Sequence, residues 1–182
     1  MVQSANLGFP RIGLKRELKK ATESYWKGEL DYLALRKIGA DLRARHWRLQ
    51  RDLGIEIIPS NDFSFYDQVL DTTAMLGAVP PRYRADVAGT SAKFSPSART
   101  SNAYAMMADV AETAEVQGSV DLDTYFAMAR GSAAAPAMEM TKWFDTNYHY
   151  IVPEFYEDQE FRLASRKPRR SASIRGRCWW GR

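Results

Sequence analysis

Apolar positions along the first third of the chain fall into a repeating order of short apolar runs and helical stripes. Ala5 to Phe9 reads as a short strand that runs into a loop with Pro10 and Gly13. Leu14, Leu18, Ala21 and Tyr25 then recur at helical spacing, and Gly28 marks a stop. A second helix is expected from Asp31, a good N-cap, with Leu35, Ile38, Leu42, Leu49 and Leu53 on one face and Gly54 closing it. Ile55-Glu56-Ile57-Ile58-Pro59 is a β-branched run with the look of a buried strand. Ser60-Asn61-Asp62 offers capping residues for a third helix carrying Tyr66, Val69, Leu70 and Leu76. Strand, helices, strand, helix is the alternation of an α/β fold, a parallel sheet under helical cover.

In such folds ligands meet the loops at the carboxyl ends of strands. Phe9 to Gly13 and Ser60 to Ser64 occupy that place. The pattern breaks over residues 86–120, rich in Ala, Ser, Thr and Asp, where Ala103 to Glu115 is the one candidate helix. Order returns at Asp121 to Gly131, then Met138 to Phe144, then a strand-like Tyr148 to Pro153. After Pro168 the chain is rich in Arg and Ser, with Trp179-Trp180 and no periodicity.

Charge sharpens the division. The 182 residues carry a net charge of +4, but residues 166–182 hold seven Lys and Arg and no acid. Without them, 19 basic residues face 22 acidic ones, so the basic character belongs to the tail and argues for no nucleic-acid partner of the domain. Mean hydropathy is -0.45, and no apolar run is long enough for a membrane span. The first residues show no secretory signal, and the one cysteine, Cys178, allows no internal disulfide. A reducing, cytoplasmic setting is expected. With only His46 and His149 beside that cysteine, four Cys/His ligands for a closed zinc site are lacking.

Three segments carry candidate chemistry. Arg11, Lys15, Arg16, Lys19 and Lys20 form a basic cluster in which Lys15 and Lys19, and Arg16 and Lys20, stand four apart. Such a cluster is a solvated face or an anion site, and its position directly after a strand end favours the anion site. Thr141 to Tyr150 packs Lys142, Asp145, Asn147, His149 and four aromatics into ten residues. Alternation puts Tyr148, Tyr150 and Val152 on one face and His149 and Ile151 on the other. A lone histidine there is expected to be a hydrogen-bonded structural residue; Lys142 and Asn147 are surface residues or ligand donors. In Asn61 to Asp67, Asp62 and Asp67 read as an acid pair or as a cap and a surface charge. No glycine-rich phosphate loop, nucleophile elbow or metal motif is present.

These same residues carry a resemblance. Leu7 to Gly13 running into Arg16-Glu17-Leu18-Lys19-Lys20 resembles the start of the cobalamin-independent methionine synthase family. Ile58 to Asp67, Asp123 to Gly131 and Glu139 to Tyr150 match it in order. The resemblance implies methyl transfer from a 5-methyltetrahydrofolate polyglutamate to homocysteine, with zinc and no cobalamin. It implies a fold of two β/α barrels, with zinc held by Cys, His and Glu in the C-terminal one and folate bound with help from the N-terminal one. Carried across residue by residue, it makes Arg16, Glu17, Leu18, Lys19, Lys142 and Asn147 the folate-binding residues.

A complete barrel takes about 200 residues or more. Residues 1–168 are therefore expected to be an incomplete N-terminal (βα)8, TIM-type barrel, its first few βα units, with 86–120 an atypical insertion. Residues 169–182 are expected to be a basic tail, disordered or out of frame. Without the zinc-bearing barrel the isolated chain is expected to be inactive and homocysteine to have no site on it. The other classes of reading are a small basic-tailed protein binding RNA, membranes or another anion, with Trp179-Trp180 stacking, and a non-functional truncated product.

Overall fold

The computed structural model describes residues 2–84 and 120–164. Among them, helices and short strands are mixed, as in an α/β chain, and two compact units can be told apart. The first is residues 2–68 and the second is residues 69–84 with 120–164. The expected helix at Ala103 to Glu115 and the tail lie outside the described residues.

In the first unit, α1 (Glu17–Trp26) carries Leu18, Ala21 and Tyr25 of the expected stripe, while Leu14 lies before it and is 91% exposed; α2 (Tyr32–Asp52) is the expected second helix. Asp31 caps α2 as expected, its Oδ1 accepting from the Ala34 N–H at 2.7 Å. Leu18 of α1 meets Leu42 of α2 and Phe63, with Ile38 and Phe65 packed beside them. The buried face of α2 does not follow the leucines to its end. Leu35 and Leu42 are buried, but Leu49 and Leu53 are 42% and 73% exposed, and His46, Trp47 and Gln50 are buried in their place.

The reason is what lies along that flank. Trp47 Nε1 donates to the Pro59 carbonyl at 3.0 Å, Asn6 Nδ2 donates to Gln50 Oε1 at 2.7 Å, and Phe9 stacks on His46. The two expected strands shrink to one parallel bridge, Ala5 to Ile57. Extension stops early because Pro10 has no N–H and the Phe9 N–H donates to Asp62 Oδ2 at 2.9 Å instead of to a neighbouring strand.

The second unit begins with α3 (Gln68–Met75), whose Gln68 belongs to the first unit. This helix starts later than its capping residues suggest, and Tyr66 lies outside it, because Asp62 is engaged by Phe9. α4 (Leu122–Arg130) is capped by Asp121, whose Oδ1 accepts from Thr124 N–H at 2.6 Å, and ends at Gly131 with φ 80. β1 (Met140–Lys142) and β2 (His149–Ile151) pair antiparallel, with Met140 opposite Ile151 and Lys142 opposite His149. Leu70, Tyr83, Met128 and Ile151 are among the most deeply buried side chains of this unit, and the Tyr83 hydroxyl donates to the Pro136 carbonyl. Arg82 grips Glu154 through its two terminal guanidinium nitrogens, at 2.5 and 2.6 Å.

Candidate functional site

The basic segment is built on a tight turn. Gly13, at φ +82, lets the chain reverse so that its carbonyl accepts from the Arg16 N–H and the Ile12 carbonyl accepts from Leu18 N–H, both at 3.1 Å. Arg16 takes a left-handed backbone, φ 58, as the residue before α1, and no side chain caps the helix there. Glu17 does the local work instead. Its Oε2 accepts from Lys15 N–H at 2.8 Å and its Oε1 from Arg45 at 2.9 Å.

Hydrogen bonding from its own backbone N–H and then from Arg45 lowers the pKa of the Glu17 carboxyl to about 2. An acid in the first turn also suits the helix dipole. Lys19 lies 3.5 Å from Glu23, one turn on. Leu18, by contrast, is 1% exposed, its side chain in the core. Lys15, Arg16 and Lys20 are exposed, and among the described residues no ion pair engages Arg16 or Lys20.

The two loops that the sequence puts at strand ends are joined. Arg11 donates to Ser64 Oγ at 2.8 Å, and the Phe9 N–H to Asp62. Asp62 and Asp67 do not act as a catalytic pair in this arrangement: the first holds Phe9 and the second is buried, 2% exposed. His46 is not singled out by sequence as a site residue. Its ring lies 4.6 Å from that of Phe9. Burial first, and then the Arg45 charge, hold its imidazole below the ordinary value of 6.5, against the carboxylates of Asp62 and Glu17. Its place four residues after Leu42 on the buried face is the available signal.

In the second unit, Lys142 ends β1 and Asn147 precedes β2, both exposed on the connection of one hairpin. That connection is tied internally. Trp143 N–H donates to the Tyr148 carbonyl at 2.8 Å and the Thr146 hydroxyl to the Trp143 carbonyl at 2.6 Å. Phe144 is held at φ 51 while 80% exposed, and Trp143 meets Phe144 and Tyr150 edge-on at 5.4 Å. His149 is exposed, its Nδ1 3.1 Å from the Asn147 carbonyl, the structural hydrogen bond expected of it. Arg16, Glu17, Leu18 and Lys19 thus gather in one unit, and Lys142 and Asn147 in the other.

A metal finds no such gathering. No three His, Cys, Asp or Glu side chains come together among the described residues. These residues do not fit a zinc site, and no zinc chemistry is assigned to them.

The chain matches the family described as "Cobalamin-independent synthase, N-terminal domain" in two overlapping stretches, residues 3–109 and 101–174. A protein of Acidithiobacillus ferrooxidans named 5-methyltetrahydropteroyltriglutamate–homocysteine methyltransferase is 50% identical over 167 residues, 92% of this chain and 18% of that relative. Relatives of the same name from Syntrophotalea carbinolica and the plant Mesembryanthemum crystallinum are 53% and 49% identical over 87% and 88% of this chain, and 17% of each of them is covered. The chain therefore spans less than a fifth of the length of these curated relatives. A match that takes in most of the chain and identities near one half over nine-tenths of it settle its kinship: the chain belongs to the cobalamin-independent synthase family, to its N-terminal domain.

Proposed function

We propose that this chain supplies the part of a methyltransferase that holds a 5-methyltetrahydropteroyltriglutamate while its methyl group passes to homocysteine. The two units are read as the first βα units of a partial TIM-type barrel, in the cytoplasm. The observation that carries the reading is the start of α1. Arg16 and Lys20 are exposed without an ion-pair partner among the described residues, beside Lys19, while the one acid in their midst is engaged by Arg45. A row of carboxylates, such as a polyglutamate tail, is the complement of that surface. In the second unit, Lys142 and Asn147, a cation and an amide exposed on one hairpin, are read as folate contacts from the family resemblance alone.

Methyl transfer itself needs a homocysteine thiolate, which in this family is made on zinc; the isolated 182 residues are read as a binder without turnover. Titration calorimetry of this chain with mono- and triglutamate 5-methyltetrahydrofolate tests the reading. Losing one charge-assisted contact costs about 1.5–3 kcal/mol, roughly ten- to a hundredfold in affinity. Lys19→Ala is expected to weaken the triglutamate more than the monoglutamate, and Asn147→Ala to weaken both about equally. An unchanged ratio and unchanged affinities in Lys19→Ala would make the cluster a plain solvated face.

A further inference from the structure

Glu17 is an unexpected residue in a surface meant for carboxylates. Left bare, its charge would repel a polyglutamate tail approaching Arg16, Lys19 and Lys20. The structure removes that conflict with a residue 28 positions away. Arg45 of α2 donates to Glu17 Oε1 at 2.9 Å, while Glu17 Oε2 accepts from the Lys15 N–H at 2.8 Å. Gly13 leaves the room for this: a Cβ there would stand 2.2 Å from Glu17 Oε2 and 3.0 Å from Leu42 Cδ2.

The pair is half-exposed, with 45% of the Arg45 side chain and 30% of the Glu17 side chain open to solvent. An ion pair so placed contributes little to global stability. Its geometry nonetheless fixes the segment from Gly13 to Glu17 in which Arg16 takes its left-handed backbone.

We propose that Arg45 is a positioning and charge-masking residue for the anion site: it neutralises Glu17 and holds it away from the ligand, so that the α1 start presents cations alone. This rests on the folate reading above. Arg45 itself touches no ligand; it acts through Glu17. Glu17 thus shapes the site, and Arg16, Lys19 and Lys20 meet the carboxylates.

The test uses the 182-residue chain with Arg45→Ala, Arg45→Lys and the double variant Arg45→Ala/Glu17→Gln. Calorimetric affinities for mono- and triglutamate 5-methyltetrahydrofolate are read alongside the Glu17 carboxyl titration by carbon-detected NMR, with Arg45 the charged group and His46 the titratable ring that interact with it. One uncompensated charge near a solvated anion amounts to about three- to tenfold in affinity. Arg45→Ala is expected to weaken the triglutamate by that factor and the monoglutamate by less, and to raise the Glu17 titration above the wild-type value.

Arg45→Lys should keep most of the affinity. The double variant should regain most of it too, since the neutral amide that Glu17→Gln introduces has no charge to mask. Loss in Arg45→Ala that the double variant does not recover would mean that Arg45 holds the fold or meets the ligand directly, and overturns the proposal. So does an unchanged affinity in Arg45→Ala, or a wild-type Glu17 that titrates near the ordinary 4.5. If Lys19→Ala weakens binding while Arg45→Ala does not, the folate reading stands and only this inference falls. If the wild-type chain binds neither folate, both fall.

Discussion

Gly39 sits in the middle of α2, buried, where intrinsic preference says alanine would be better. In an exposed helix interior the exchange would gain about 1 kcal/mol. Here a Cβ would stand 2.8 Å from Phe65 Cζ, 3.0 Å from Phe65 Cε1 and 3.4 Å from Phe63 Cε1. The Phe65 ring must move, and it is held edge-on to Phe63 at 5.5 Å and 89°. Giving up such a pair costs about 0.5–1.5 kcal/mol, and overpacking of this kind costs about 1–3 kcal/mol.

The packing cost exceeds the propensity gain, so Gly39→Ala should destabilise the chain by about 1 kcal/mol. Urea unfolding followed by circular dichroism reads the effect, and Phe65→Leu supplies the control. In that background the ring is gone and Gly39→Ala should turn stabilising by about 0.5–1 kcal/mol, a coupling of about 1.5–2 kcal/mol between two touching positions. If Gly39→Ala stabilises the wild type by the full helical gain, the helix does not approach Phe65 as described and the reasoning is refuted.

Two further predictions concern pH. Burial holds His46 below 6.5 in the folded chain, so the unfolded chain binds its proton more readily. The stability from the neutral ring is complete above pH 6.5 and lost as pH falls through the lowered value; His46→Gln should flatten the fall in urea midpoint there, and an unchanged slope would show that the ring is not the cause. In the second unit, the Arg82 hydrogen bonds hold Glu154 below its ordinary 4.5, so Glu154→Gln should cost about 1 kcal/mol near neutrality and nothing once acid has protonated Glu154. Hydrogen exchange of the β1–β2 amides near neutral pH would check this: equal protection in both forms would remove the bridge from the account.

How much of this is legible depends on whether the deciding partner is near in sequence. Asp31 announces its helix because a cap's partner lies three residues on; Asp121 caps its helix in the same way, though no cap is read there from the sequence. Gly28 and Gly54 mark stops, and both have positive φ. The far end of α2 departs from its leucine stripe because its buried flank is set by Asn6, Phe9 and Pro59, and carries His46 and Gln50 where a count of leucines sees nothing. Gly39 is silent for the same reason: what it makes room for, Phe65, is 26 positions away. Strand boundaries fail at Asp62, which a local reading makes a helix cap and the fold uses to hold Phe9.

The candidate site follows the same division. That cations gather after Gly13 is plain in the sequence; that Leu18 turns into the core while Glu17 pairs with Arg45 of α2 is tertiary. The backbone nevertheless links the two segments chosen from sequence. Among the described residues, the non-glycine residues with left-handed φ are Arg16 at 58 and Phe144 at 51. Such a conformation costs a non-glycine residue of order 1–3 kcal/mol and persists where its surroundings over-determine it. Both are over-determined: Arg16 by the Gly13 turn and Glu17, Phe144 by the Trp143, Thr146 and Tyr148 hydrogen bonds. One adjoins Glu17 and the other lies between Lys142 and Asn147. Neither needs the strain to close a core, since Arg16 is exposed and Phe144 is 80% exposed. Strain held at two solvent-facing turns, one beside Glu17 in the first unit and one between Lys142 and Asn147 in the second, restricts the directions open to the side chains that each turn carries.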